Sequence, residues 1–266
     1  MKKTILVALA GLVAVVAFGQ DKKTRKQKQD DRKQRINQLI KQEEEGALIY
    51  HKQGAFGIKL NTDGYGIFYE HGKYKTINRT DLWWMELGEH QSKKQEKRTN
   101  SLGGYYIGNP YVYGKINNFY HFKLGLGQQR LIGGKGNKNG VAVSAIYGGG
   151  LSAGMLKPYY LSVYYSNTGQ SKDIRYTDDP QSFLDPSAID GAAGLFKGFN
   201  KIKFVPGVHA RAALRFDYGR FNELLSAIEV GVNAEYYTQN MPIMVYDSNQ
   251  KFFFNGYVAL VFGKRK

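Results

Sequence analysis

Between Pro206 and Tyr237 the chain sorts its side chains by parity. Pro206, Val208, Ala210, Ala212, Leu214, Phe216 and Tyr218 stand at even positions, and Gly207, His209, Arg211, Ala213, Arg215 and Asp217 at odd ones. Past the polar residues up to Glu223 the sorting returns, with Ile228, Val230, Val232, Ala234 and Tyr236 set against Glu229, Gly231, Asn233, Glu235 and Tyr237. A period of two belongs to an extended strand, whose successive side chains point to opposite faces. The length of the run, with one face small or charged and the other apolar and aromatic, is what the wall of a transmembrane β-barrel requires. The even positions then face lipid and the odd ones the interior. The competing solution is a soluble secreted β-sandwich, in which the even face would pack on a second sheet.

The start of the chain gives an address. Lys2 and Lys3 precede an apolar run from Ile5 to Phe18, and Ala17-Phe18-Gly19 places small residues before Gln20. This pattern predicts a secretory signal peptide over residues 1–19. The run is shorter than the roughly 18 to 20 residues a spanning helix needs, and no later segment is long and apolar enough to span as a helix. In lipid the remaining solution that satisfies the backbone is a closed barrel. A negative mean hydropathy is compatible with this, because a barrel hides half of its strand residues in a polar lumen. The absence of cysteine excludes a disulfide scaffold and thiolate metal sites.

A net charge of +16 raises the question of nucleic acid, but an exported chain without a nucleic-acid-binding module points elsewhere. The expected partners of that charge are outer-membrane lipids, namely lipopolysaccharide and anionic phospholipid head groups. Residues 20–46 form a basic arm rich in Lys, Arg, Gln, Asp and Glu, with Ile36, Leu39 and Ile40 at helical spacing. The composition reads as a flexible periplasmic leader; the alternative is an arm that touches the inner leaflet, peptidoglycan or a partner. Gly133 to Gly140 is a turn and not a P-loop, since the Gly-Lys-Ser/Thr ending is missing. No cofactor and no metal are expected.

From residue 47 to 266 the texture is that of an eight-stranded antiparallel up-and-down transmembrane β-barrel. Strands are expected at Leu48–Asn61, Tyr65–Tyr74, Asp81–His90, Phe119–Ile132 and Val141–Tyr165, then the two described first, then one through Phe252 and Phe262. Asp63-Gly64 is a tight hairpin signal. Lys157-Pro158 marks an irregularity, bulge or extra break in the fifth strand. Trp83 and Trp84 suit a membrane interface. Long polar loops fall at 91–118, 166–201 and 239–250, all on one side. With both termini periplasmic, that side is extracellular.

The signal peptide, the eight alternating segments and the aromatic last strand make the chain resemble the small outer-membrane β-barrel proteins of Gram-negative bacteria. Asn255, Leu260 and Phe262 match the polar and the two late hydrophobic positions of the signal read by the barrel-assembly machinery. Tyr257 stands where that pattern prefers Gly, and Gly263 to Lys266 run past its aromatic end. The Lys-, Asn- and Tyr-rich texture is similar to barrels of the Bacteroidota, which include components of the Por secretion system. The resemblance implies an outer-membrane location, insertion by the assembly machinery and room for an envelope protein partner.

An eight-stranded barrel is filled by its own side chains. The inward residues named by parity are Lys59, Glu86, His121, Lys123, His209, Arg211, Arg215, Glu229, Asn233 and Glu235. One register of the 206–237 hairpin sets Arg215 opposite Glu229, Arg211 opposite Asn233 and His209 opposite Glu235; a register shifted by two is equally allowed. A structural charge network is the first reading of this set. The functional reading is a proton-transfer or ligand site built from His121, His209 and Glu235. His90 and Ser92 resemble the His-x-Ser element of outer-membrane lipid A deacylases, where a base within reach activates a hydroxyl. Asp173, Asp178, Asp179, Asp185 and Asp190 lack the spacing of a calcium loop and read as solvated carboxylates. The function expected is that of a non-enzymatic envelope or partner-binding barrel, with a secretion assembly among its settings, acting through its loops or arm. The alternative is an outer-membrane lipid-modifying enzyme.

Overall fold

The computed structural model describes residues 29–30, 33–34, 51–76, 78–102, 105–135, 140–219, 223–247 and 249–266. The expected signal peptide lies outside them, as does most of the basic arm, of which Gln29–Asp30 and Lys33–Gln34 are helical. The strands are β1 (Lys52–Asn61), β2 (Gly64–Thr76), β3 (Arg79–His90), β4 (Lys97–Leu102), β5 (Tyr105–Val112), β6 (Asn117–Gly133) and β7 (Ala142–Pro158). There follow β8 (Tyr160–Tyr165), β9 (Gln170–Arg175), β10 (Ile189–Ala192), β11 (Lys203–Asp217), β12 (Leu224–Met241) and β13 (Gln250–Arg265).

Eight of these strands close into a barrel in the order β1-β13-β12-β11-β7-β6-β3-β2. Every neighbouring pair is antiparallel, including the closing pair, where Gln53 faces Arg265, Phe56 faces Phe262 and Asn61 faces Tyr257. Closure leaves no edge strand. At the Asp63-Gly64 turn a Cβ on Gly64 would lie 1.9 Å from the Glu89 carbonyl oxygen, so the hairpin needs glycine there. Gly263 to Arg265, beyond the expected assembly signal, continue β13 and pair with β1.

Parity decides which side chains meet which medium. Phe56, Ile58 and Leu60 on β1, Leu124 and Leu126 on β6, Leu214 on β11, Val230 on β12 and Val258 and Leu260 on β13 are all exposed on the outer wall. In water so large an unbroken apolar belt would be a liability. In hydrocarbon it is the required surface, and the shortest barrel strand, β1 with 10 residues, matches the roughly 9 to 11 that a tilted strand needs to cross. No helix among the described residues is long and apolar enough to cross a membrane.

Three expectations need correction. Trp84 is no interface residue: it lies inside the lumen at 1% exposure, while Trp83 stays outside. Room for the indole comes from the two strands beside it, β6 and β7, where a Cβ on Gly125, the cross-strand partner of Trp84, would fall 2.2 Å from Trp84 Cζ2 and one on Gly148 2.8 Å from Cη2. Of the alternatives at Lys157-Pro158 the extra break is the one found, so the fifth expected strand is two elements and only the first belongs to the barrel. Tyr160–Tyr165 leaves the barrel and joins the sheet β10-β8-β9. The two longer loops are therefore folded. One carries the β4–β5 hairpin, and the other carries this sheet, a one-turn helix Pro180–Phe183 and a 3-10 turn Phe199–Lys201. Together they bury Tyr111, Leu161, Val163, Ile174, Phe183 and Ile189 as a core of their own, forming a cap at the long-loop end.

Candidate functional site: lumen and rim

All ten residues that parity places inward are buried. The pairings of Arg215 with Glu229, Arg211 with Asn233 and His209 with Glu235 are those of the first register considered. Toward the short-turn end, Arg215 is clamped between two carboxylates. Its Nε lies 3.0 Å and its Nη2 2.5 Å from Glu229 Oε2, while Nη2 donates to Glu70 Oε2 at 2.8 Å and Nη1 donates to Glu70 Oε1. Arg211 donates to Glu70 at 3.3 Å and stacks 4.0 Å from the Trp84 ring centroid. Tyr257 donates its hydroxyl to Glu229 at 2.5 Å and lays its ring 4.1 Å from Lys59 Nζ. The tyrosine that departs from the assembly pattern is thus a lumen residue with two ionic neighbours.

Higher in the lumen, Glu86 takes Lys59 at 2.5 Å and Lys123 at 3.0 Å, and Lys123 reaches Glu235 at 2.7 Å. Tyr237 donates to Glu235 at 2.8 Å. His121 Nε2 lies 3.4 Å from Glu86. His209 shares a 3.0 Å hydrogen bond with Ser152 and packs edge-on against Trp84. Asn233 donates to Asn255, which in turn donates to Asp63. Four cations, Lys59, Lys123, Arg211 and Arg215, thereby meet four carboxylates, Glu70, Glu86, Glu229 and Glu235. Low-dielectric burial leaves such groups no other stable arrangement. Above them Phe119, Leu156, Val205, Tyr237, Met241, Ile243 and Met244 close the mouth with an apolar layer.

The histidine that joins His121 and Glu235 is His90, and not His209. Donor atoms of His90, His121 and Glu235 all lie within 4.8 Å of one another, which is the one grouping of metal-ligand type among the described residues. The Lys123 ammonium already stands 2.7 Å from Glu235, so positive charge is supplied there by the chain itself. His90 and Ser92 both line a recess of about 330 Å³ at the mouth, yet they do not work as a pair. The ring nitrogens of His90 are engaged by Asp63 at 2.9 Å and Glu235 at 3.2 Å, and the Ser92 hydroxyl donates to Asp247 at 2.6 Å. β3 ends at His90 and the chain turns, so the shared face that positions i and i+2 of a strand would have is lost.

The loop aspartates do not converge. Asp173 pairs with Lys197, Asp178 with Arg175, Asp185 with Ser187 and Asp190 with Ser171. Asp179 caps the one-turn helix through the Ser182 N–H and accepts from Tyr165 at 3.0 Å. Hydrogen bonds from Ser182 and Tyr165 hold its carboxyl below the usual aspartate range. Leu260 and Phe262 face outward and Asn255 is buried in the lumen.

Glu70 is the lumen carboxylate that parity did not name. β2 carries Phe68 and Glu70 inward against Ile67 and Tyr69 outward, so both faces contain aromatic side chains and the sorting is weak.

No family model matches the chain, and no curated protein matches it. Among solved structures it is similar to the attachment invasion locus protein Ail of Yersinia pestis in complex with the heparin analogue sucrose octasulfate, at 11% identity and a TM-score of 0.34, covering 81% of this chain and 96% of that one. It is also similar to Neisserial surface protein A, at 8% identity and 0.35, covering 81% and 96%. A major outer membrane protein of Thermus thermophilus aligns at 10% identity and 0.40, covering 81% and 99%.

Proposed function

We propose that this chain is an outer-membrane β-barrel that acts as an envelope component through its long-loop end, holding a partner on the folded cap. The observation that carries the reading is the filled lumen. Its charges are matched among themselves, an apolar layer lies above them, and the cap has its own buried core. A barrel of eight strands built this way is a rigid stalk, and its variable chemistry lies where the connections are long. In this reading both chain ends are periplasmic and the cap faces outward. Assembly machinery reads the last strand, and a secretion complex of the envelope is one setting such a stalk would serve.

The test is replacement of residues 160–200 by a short Gly/Ser linker in cells that lack the natural gene. The shortened chain is expected to reach the outer membrane and to keep the different electrophoretic mobility of an unheated barrel, while the cells keep the envelope defect of the null strain. Full complementation by the capless barrel would overturn the reading. Lipid A mass spectra with and without the gene address the enzymatic alternative, and the expected result is identical spectra.

A further inference from the structure

On the outer wall, at the long-loop end, Tyr65, Glu89 and Tyr120 lie side by side across β2, β3 and β6, with Asn118 and Lys157 in the next row. One row down, on the same face, Ile67, Leu87 and Phe122 begin the apolar belt. The loops fold over this strip and enclose a recess of about 440 Å³, within the range of small-ligand sites. Four lysines line it, namely Lys97, Lys115, Lys157 and Lys197. Glu89 is the one carboxylate among its lining residues, and it already accepts from the Tyr65 hydroxyl at 2.7 Å.

Lys115 and Lys157 are themselves buried. Lys115 Nζ finds Gln95 at 3.1 Å and Glu89 only at 3.9 Å. Lys157 donates to the Leu195 carbonyl and lies 4.2 Å from the Phe199 ring centroid. Burial pushes the Lys115 ammonium below the usual lysine range; Glu89 opposes this, while Lys157 and Lys97 add repulsion. Lys197 meets Asp173 outside the recess. Beside the lysines the loop presents Leu195 and Phe196 at 79% and 89% exposure. An apolar tip and a surplus of ammonium groups, set immediately above a lipid-facing belt, match a molecule that is anionic at the headgroup and apolar below it.

We propose that this recess binds the phosphate-bearing headgroup of a lipid in the leaflet at the long-loop end. The phosphate would accept from the lysines as point-charge donors, and Leu195 and Phe196 would enter the acyl region. The inference rests on the membrane reading above.

The test is native mass spectrometry of the full chain purified in detergent, with bisphosphorylated lipid A as the probe and the same lipid dephosphorylated as the control. The expected result is retention of the phosphorylated form about ten-fold over the dephosphorylated one. Lys97→Glu with Lys197→Glu should abolish that preference, whereas Lys73→Glu with Lys264→Glu, the same charge change at the short-turn end, should leave it. Each variant is first checked for the barrel's unheated mobility. Equal retention of the two lipids overturns the proposal, and so does equal loss in both double variants. Competition by inorganic phosphate without retention of lipid would assign the recess to a soluble anion and also overturn it. Absence of the mobility shift in the natural chain would instead remove the membrane reading.

Discussion

Lysines occur in the lumen and in the rim recess under opposite conditions. Lys59 and Lys123 are buried against Glu86 and Glu235 at hydrogen-bonding distance, whereas Lys115 and Lys157 share one carboxylate that is nearly 4 Å from the nearer of them. In the first place charge is matched within the chain and fixes the strands' interior. In the second it is left in surplus beside a lipid-facing wall. Whether a lysine belongs to the scaffold or to a binding surface is therefore decided by its counter-charges, not by its burial.

The largest effect should come from unmatching the lumen. Arg215→Met leaves Glu70 and Glu229 without their main partner, and is expected to cost about 3 to 5 kcal/mol in reversible unfolding from detergent micelles. The double replacement Arg215→Met, Glu229→Gln should restore most of it, because Glu70 then keeps Arg211 as its counter-charge. A double variant as unstable as the single one would show that shape, not charge matching, holds this layer.

Next in size is the outer wall. Val230→Arg or Val258→Arg on the outward face should reduce stability in lipid by roughly 2 to 4 kcal/mol near the midplane. Both valines are about half exposed, so in an aqueous protein these changes would be close to neutral. A neutral result in vesicles would discard the lipid-facing assignment.

Gly125→Ala tests the packing of Trp84 and should cost about 1 to 3 kcal/mol by overfilling the lumen. Pairing it with Trp84→Phe should recover part of the loss. If the double variant is no more stable than Gly125→Ala alone, the steric account of this glycine is wrong.

The smallest effect concerns the cap alone. Asp179→Ala should loosen the cap by about 1 kcal/mol through loss of the helix cap, read as faster proteolysis within 160–200 with unheated barrel mobility unchanged. The same carboxyl gives a pH dependence. Its folded pKa is depressed, so its contribution is present above the ordinary aspartate value of about 3.9 and is lost as the pH falls through the folded value. Pepsin should therefore cut the natural cap increasingly below about pH 4, and the Asp179→Ala variant should show a weaker dependence. An identical pH profile in the two forms would remove Asp179 from the account.

Parity along β11, β12 and β13 carried the barrel, its inside and outside, and most of its polar interior, because a strand's period of two is a local property that any register preserves. His209, Arg211, Arg215, Glu229, Asn233 and Glu235 could be placed from that alone. Glu70 could not, since aromatic residues on both faces of β2 blur the sorting. Trp84 reads as an interface residue until Gly125 and Gly148 are seen beside it on β6 and β7, and those glycines are far from it in sequence. His90 and Ser92 look paired in a string of letters and part where β3 ends. The cap was hidden because its strands are short and their core forms only when two separate loops meet.

By itself the sequence determined the wall: which residues face lipid, which face inward, and how many strands close. The tertiary structure alone decided the partners, namely which carboxylate holds which cation, which glycines admit the indole, and where lysines gather with one carboxylate among four. The reason is physical. Orientation follows from the backbone's own repeat, whereas pairing depends on strand register and barrel closure, which bring together residues more than a hundred positions apart such as Glu70 and Arg215.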